Sequence, residues 1–149
     1  MLVASCHEFP QMAEITVQLR NVHGTEAAVG WAGSHTLMVD RAEGKAGGKG
    51  LGFNGGQLLG LAIGGCLCND LQYVAHDLGV RLLTVEVDVT LQLEGNPTVA
   101  TAAEVAVRVD VADKMTDVPA LINRAVAIST VANSLQRGLA ITVSQPQSG

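Results

Sequence analysis

Residues 57–78 read QLLGLAIGGCLCNDLQYVAHDL, and the reading of this stretch decides the fold. It predicts one long helix from Gln57 to Leu78, of about six turns, with Gly79 as its C-cap. The helix has two distinguishable sides. Gly56, Gly60, Gly64 and Cys68 recur every four residues and form a narrow stripe of small residues. Each helical glycine costs about 1 kcal/mol relative to alanine, so such a stripe implies a packing purpose: it lets another backbone come close. Leu59, Ile63 (or Ala62), Cys66, Asp70 and Tyr73 follow a second line on a different side.

Outward from this helix the pattern changes period. Glu14 to Arg20 (EITVQLR), Glu26 to Trp31 (EAAVGW) and His35 to Asp40 (HTLMVD) read as three short strands of an antiparallel meander. RAEGKAGGKGLGFNGG follows as a loop with almost no apolar anchor, and a loop of that length is usually functional or mobile. After the helix, Leu82 to Leu93 and Val99 to Val111 alternate strictly and predict a long hairpin with one wet face, turning at EGNP. Thr116 opens a second helix with Asp117 in its first turn and Pro119 near its start, running to about Thr130. VANSLQRG reads as a short helical piece ending at Gly138, and Leu139 to Val143 (LAITV) as a last strand. Runs of strands separated by helices mean an α+β fold. The expected organisation is one domain over residues 1–149, with a tail over 1–13 and a Gly-rich loop over 41–56. A helix covering a sheet leaves its glycine stripe free, and a second copy of the same helix is the economical partner, so a homodimer is expected.

Composition narrows the function. Apolar residues make up 48% of the chain but aromatics only 3%, so the core must be built from Val, Leu, Ile and Ala. The net charge of -5, with no dense Lys/Arg cluster, argues against nucleic-acid binding. The strictly apolar run Leu58–Cys68 is too short to span a bilayer. MLVASCHEFPQ lacks the marks of a secretory signal, so a cytoplasmic protein is expected. Three cysteines, Cys6, Cys66 and Cys68, do not make a disulfide scaffold. In a reducing compartment they are either inert or catalytic.

Cys66 and Cys68 sit about 200° apart around the helix, which places them on different faces and disfavours a bond between them. The spacing is not that of a helical metal pair, and His7, His23, His35 and His76 show no ligand spacing. Neither a metal nor a cofactor is expected. Two readings of Cys66 stay open: a small buried hydrophobe, or a reactive thiol. Reactivity needs nearby positive charge or a helix N-terminus, and Cys66 lies more than two turns inside its helix. Asp70, one turn later, would oppose a thiolate if it were close. A reactive Cys66 therefore needs an arginine from elsewhere. Arg20 and Arg41 are the candidates, the plain alternative being that both are solvated surface residues.

HTLMVDRAEGKAGG followed by FNGGQLLGLAIGGCLCNDL resembles the OsmC/Ohr superfamily, the osmotically inducible and organic hydroperoxide resistance proteins. The resemblance extends from Glu14 to Val143 and includes STVANSL (Ser129 to Leu135). It implies an OsmC-like fold, antiparallel sheets around a long central helix, in an intertwined homodimer. It also implies thiol-dependent reduction of organic hydroperoxides, peroxiredoxin-like chemistry of a stress response. In that chemistry a helix cysteine attacks the peroxide and a second cysteine closes a disulfide, with an Arg and a helix-start Glu in support. Under the resemblance Cys66 takes the place of the attacking cysteine and Arg20 that of the arginine. Gly56 or Gln57 stands where the Glu is expected, and Ser129 where the second cysteine is expected. Cys6 and Cys68 have no counterpart.

Three functions compete. The first is a one-cysteine hydroperoxide reductase, with Cys66 as nucleophile, Arg20 (or Arg41) supporting it, and an external thiol as reductant. Ser129, Gln57 and Asp70 would line its site. The second is a redox-inactive dimer holding a small apolar ligand in the same pocket. The third is a structural dimer in which Cys66 is core.

Overall fold

The computed structural model describes residues 13–145, so Cys6 and nearly all of the expected tail lie outside the described residues. The fold is α+β, with two antiparallel sheets and three helices. The chain divides into two compact units, one ending at Asn54 and the other beginning at Gly55.

The first unit is a meander of β1 (Gln18–Asn21), β2 (Ala28–Ala32) and β3 (His35–Val39), in the order β1-β2-β3. Arg20 pairs with Val29, and Val29 with Met38. The first strand starts four residues later than its alternation suggests. Gln18 already faces Trp31, and one pair further on β2 ends and turns at Gly33, whose φ is +58°. Ile15 thus lies beyond the end of β2, and both it and Val17 are exposed. The Gly-rich segment after β3 is not loose. Asp40, only 4% exposed, accepts the backbone N–H of Arg41 (2.8 Å) through Oδ1. Its Oδ2 accepts those of Lys49 (3.0 Å) and Leu51 (3.1 Å). Phe53 donates to the Met38 carbonyl (2.9 Å) and accepts from Asp40 N–H (3.1 Å). The segment is therefore a strap folded back along β3. At Gly52 any Cβ would strike the Met38 backbone, so only glycine fits there.

The second unit contains α1 (Gly55–Leu78), the hairpin β4 (Leu82–Glu94) and β5 (Val99–Val111), α2 (Val118–Ile128) and α3 (Thr130–Arg137). Val85 faces Val109, Val87 faces Val107 and Val89 faces Val105. Their face is the drier one; Glu86, Asp88 and Arg108 occupy the other and pair there. The core joins Leu67, Leu71, Val74 and Ala75 of α1 to Leu121 and Ala125 of α2, with the hairpin valines packed against it. Fully burying a leucine such as Leu71 is worth about 2 kcal/mol or more.

The glycine stripe has a different partner from the one expected. A Cβ on Gly64 would meet Val89 Cγ2 at 3.1 Å and Val87 Cγ1 at 3.6 Å, and one on Gly60 would meet Leu91 at 3.8 Å. At Gly60 and Gly64, then, the close approach is made by β4 of the same chain. Sequence periodicity shows that a close approach is needed but not which backbone makes it. The whole of α1 is long and apolar enough to cross a membrane by length and composition, unlike the shorter run Leu58–Cys68. Here it serves as the core helix of its unit, packed on the hairpin and α2.

Two boundaries differ near the C-terminal end. Asp117 is the N-cap of α2 rather than part of its first turn, its carboxylate accepting Ala120 N–H at 3.0 Å. α2 stops at Ile128 because Ser129 adopts an extended conformation (φ −63°, ψ 113°), and α3 restarts at Thr130. The expected last strand, Leu139 to Val143, does not form. Its apolar side chains find no neighbouring strand, and Ile141 is 81% exposed.

Candidate functional site

α1 carries Cys66 on the flank of the core, half-buried, and Asp70 one turn later on the same side. Cys66 Sγ–H donates to Asp70 Oδ2 at 3.5 Å. The Ser129 hydroxyl, arriving from the break between α2 and α3, donates to Cys66 Sγ at 3.6 Å. Ser129 is 2% exposed and Asp70 8%. The result is a short chain of donors, Ser129 O–H to sulfur and sulfur S–H to carboxylate, closed on one side by the core.

The backbone fixes Ser129 from both directions. Its N–H donates to the Val126 carbonyl (3.2 Å), ending α2, and its carbonyl accepts Asn133 N–H (3.0 Å), starting α3. Asn133 Nδ2 then donates to the carbonyls of Ser129 (2.7 Å) and Ala127 (3.1 Å), bracing the break. Sequence reading missed Asn133. The signal for it is an Asn four residues after the serine, in reach of the carbonyls left at the end of α2.

The structure thus brings together Cys66, Asp70 and Ser129. Gln57 stands nine residues before Cys66 in the first turn of α1, about 13 Å away along the axis at 1.5 Å per residue, too far for contact with the thiol. Arg20 and Arg41 have partners inside the first unit. Arg20 lies over the Trp31 ring, 5.9 Å from its centroid, and donates to the Leu19 carbonyl (2.8 Å). Arg41 donates to the Glu26 carbonyl (2.8 Å) and pairs with Asp40 (3.5 Å) and Glu26 (3.8 Å). The Leu51 N–H, with smaller help from those of Lys49 and Arg41 and from the Arg41 charge, holds the Asp40 carboxyl below its ordinary range against the opposing effect of burial. Cys68, one turn beyond Gly64, is half-buried.

An α+β chain with a thiol on its core helix, a buried carboxylate one turn on and a hydroxyl from a helix break is the class that fold and site define. The chain belongs to the OsmC-like protein family, whose sequence model matches residues 47–144. No curated protein matches it by sequence. Solved structures share its fold. An OsmC-like protein of unknown function from Vibrio cholerae superposes with a TM-score of 0.72 at 11% identity, covering 83% of this chain and 94% of that one. The OsmC-like protein of Mycoplasma pneumoniae gives 0.71 at 14% identity, covering 85% and 89%. An organic hydroperoxide resistance protein from Elizabethkingia anophelis gives 0.61 at 16% identity, covering 86% and 91%.

Proposed function

We propose that the protein reduces organic hydroperoxides with Cys66 as its single reacting thiol. The observation that carries this reading is the seating of Cys66: half-buried on the core helix, with two polar groups aimed at its sulfur. Family membership and the hydroperoxide resistance proteins among the structural relatives support the substrate class.

The sulfur attacks the terminal peroxide oxygen, an S–O bond forms as O–O breaks, and the products are the Cys66 sulfenic acid and an alcohol. Ser129 can donate a hydrogen bond to that sulfenic acid but cannot condense with it to a disulfide. An external thiol condenses instead, releasing water and leaving a mixed disulfide on Cys66. A second thiol then frees Cys66 as the thiol and leaves with the first as their disulfide. Such a cycle belongs in a reducing compartment such as the cytoplasm. The working unit in this reading is a homodimer. Leu61 and Tyr73 of α1, exposed and off the face spent on β4, support a partner there.

The second reading, a redox-silent binder of a small apolar ligand, is favoured by one observation. Cys66 directs its proton at a buried carboxylate, which is no help to a thiolate. Consumption of tert-butyl or cumene hydroperoxide, driven by dithiothreitol or dihydrolipoamide, separates the two. Turnover is expected in the parent and in Cys68→Ser and is lost in Cys66→Ser. A parent as inactive as Cys66→Ser overturns the peroxidase reading.

A further inference from the structure

Asp70 is too close to Cys66 to be a bystander. The two side chains share one face of α1, with Sγ 3.5 Å from Oδ2, and the carboxylate is only 8% exposed. Two roles are physically open to it. A fixed negative charge raises the cost of making a thiolate. A fixed acceptor, however, can take the thiol proton at the moment of attack, so that no free thiolate has to exist beforehand. The surroundings favour the second role. From the α2–α3 break Ser129 O–H donates to the sulfur, which supports the electron pair left as the proton departs. The two elements that pack most extensively on α1 bring apolar side chains to it. From β4 these are Val87 and Val89 and from α2 Leu121 and Ala125. Among the charged groups of the hairpin and α2, Arg108 of β5 pairs with Glu86 and Asp88 on the wet face of the hairpin, and Arg124 of α2 pairs with Asp77 of α1.

We infer that Asp70 is the catalytic base that activates Cys66. This rests on Cys66 being the reacting thiol. As sulfur bonds to the terminal oxygen of the hydroperoxide, its proton passes to Asp70 Oδ2, and the O–O bond breaks towards the alkoxide. Asp70 then returns the proton to the alkoxide, giving the alcohol. Sulfur is oxidised by two electrons, the peroxide is reduced by two, and Asp70 ends as it began. Ser129 keeps the sulfur aimed throughout.

The test compares the parent with Asp70→Asn, which keeps the shape of the side chain and removes its basicity. Two rates are followed against pH on the full chain: modification of Cys66 by iodoacetamide, located by peptide mass, and formation of the Cys66 sulfenic acid with cumene hydroperoxide. Circular dichroism establishes that the variant folds, and Asp70→Ser, which also lacks a base, replaces it if it does not; Asp70→Glu, which keeps a carboxylate, is the conservative variant. Without the base only ionised thiol reacts. Asp70→Asn should then be slower by about a hundredfold near neutral pH, from the usual size of acid–base catalysis. Its rate should climb with rising pH, as ionised thiol accumulates, and approach that of the parent. Asp70→Glu should keep part of the parent's rate near neutrality. If Asp70→Asn equals or exceeds the parent near neutral pH, or if Asp70→Glu is no better than Cys66→Ser, the inference is overturned. If iodoacetamide shows the expected profile while hydroperoxide gives no sulfenic acid, the base stands and the hydroperoxide reading fails.

Discussion

Replacing Ser129 by cysteine places a second sulfur where a hydroxyl now lies 3.6 Å from Cys66 Sγ. A disulfide needs about 2.05 Å between sulfurs, so the two must close by about 1.5 Å, within reach of a side-chain rotation and a slight shift of the break. The bond would span a separation of 63 residues. Loop closure of that length removes about 4 kcal/mol of entropy, expressed as stability, from the unfolded chain. Against this, Asp70 loses its S–H donor and remains buried, which costs about 1–3 kcal/mol. The net expectation is a Ser129→Cys protein about 1–3 kcal/mol more stable oxidised than reduced. Urea denaturation with and without dithiothreitol reads that difference, and thiol titration before and after oxidant should show two thiols fewer. One equivalent of cumene hydroperoxide should form the same bond, with the external thiol no longer needed to condense with the sulfenic acid. If no disulfide forms between the two positions, or if it forms and lowers stability, the geometry assigned to Ser129 is wrong.

Further outcomes test the packing and the strap. Gly64→Val drives new methyl groups into Val89 and Val87 and should cost about 1–3 kcal/mol in urea denaturation. Gly65→Ala faces open space and should gain up to about 1 kcal/mol; a loss there refutes that assignment. The Asp40 carboxyl is held below its ordinary range in the folded chain, so its contribution is complete above the unfolded value near pH 3.9. That contribution disappears as pH falls through the lower folded value. Amide exchange at Lys49 and Leu51 should therefore stay slow at mildly acidic pH and lose protection well below pH 4. In Asp40→Asn protection should be weak at every pH, and unaltered protection would refute the role given to Asp40.

Most of the fold is readable from the sequence, for a physical reason. Strict alternation over Leu82–Leu93 and Val99–Val111 leaves one dry face, and burial of that face fixes both the strands and their pairing. A glycine just past Leu78 and another at 138 end helices where left-handed backbone is needed; both have positive φ. What escapes is what depends on partners distant in sequence. LAITV has the pattern of a strand, but a strand exists only beside another. The glycine stripe announces a close approach without naming β4. At the site, the spacing of Cys66 and Asp70 on a helix makes their contact foreseeable. The meeting of Ser129 with Cys66 depends on a break at residue 129 and on how α2 packs against α1, neither of which a local pattern encodes. Asn133 belongs to the same case. Arg20 is a candidate through the need of a reactive Cys66 for an arginine and through the family resemblance, whereas its observed partner, the Trp31 ring, follows from a register in which Arg20 faces Val29.

The character of α1 also bears on how the chain is made. By length and composition this helix could cross a membrane, yet the surface that covers it, the β4–β5 hairpin, ends at Val111. At about 5–20 residues per second of synthesis, several seconds separate the completion of α1 from that of its cover. During that interval the most apolar stretch of the chain has no partner from the hairpin. Asp70 then has a second consequence. A carboxylate inside an apolar helix opposes its transfer into lipid by about 3 kcal/mol. The side chain placed against the thiol in the finished protein therefore also biases the unfinished one away from the bilayer.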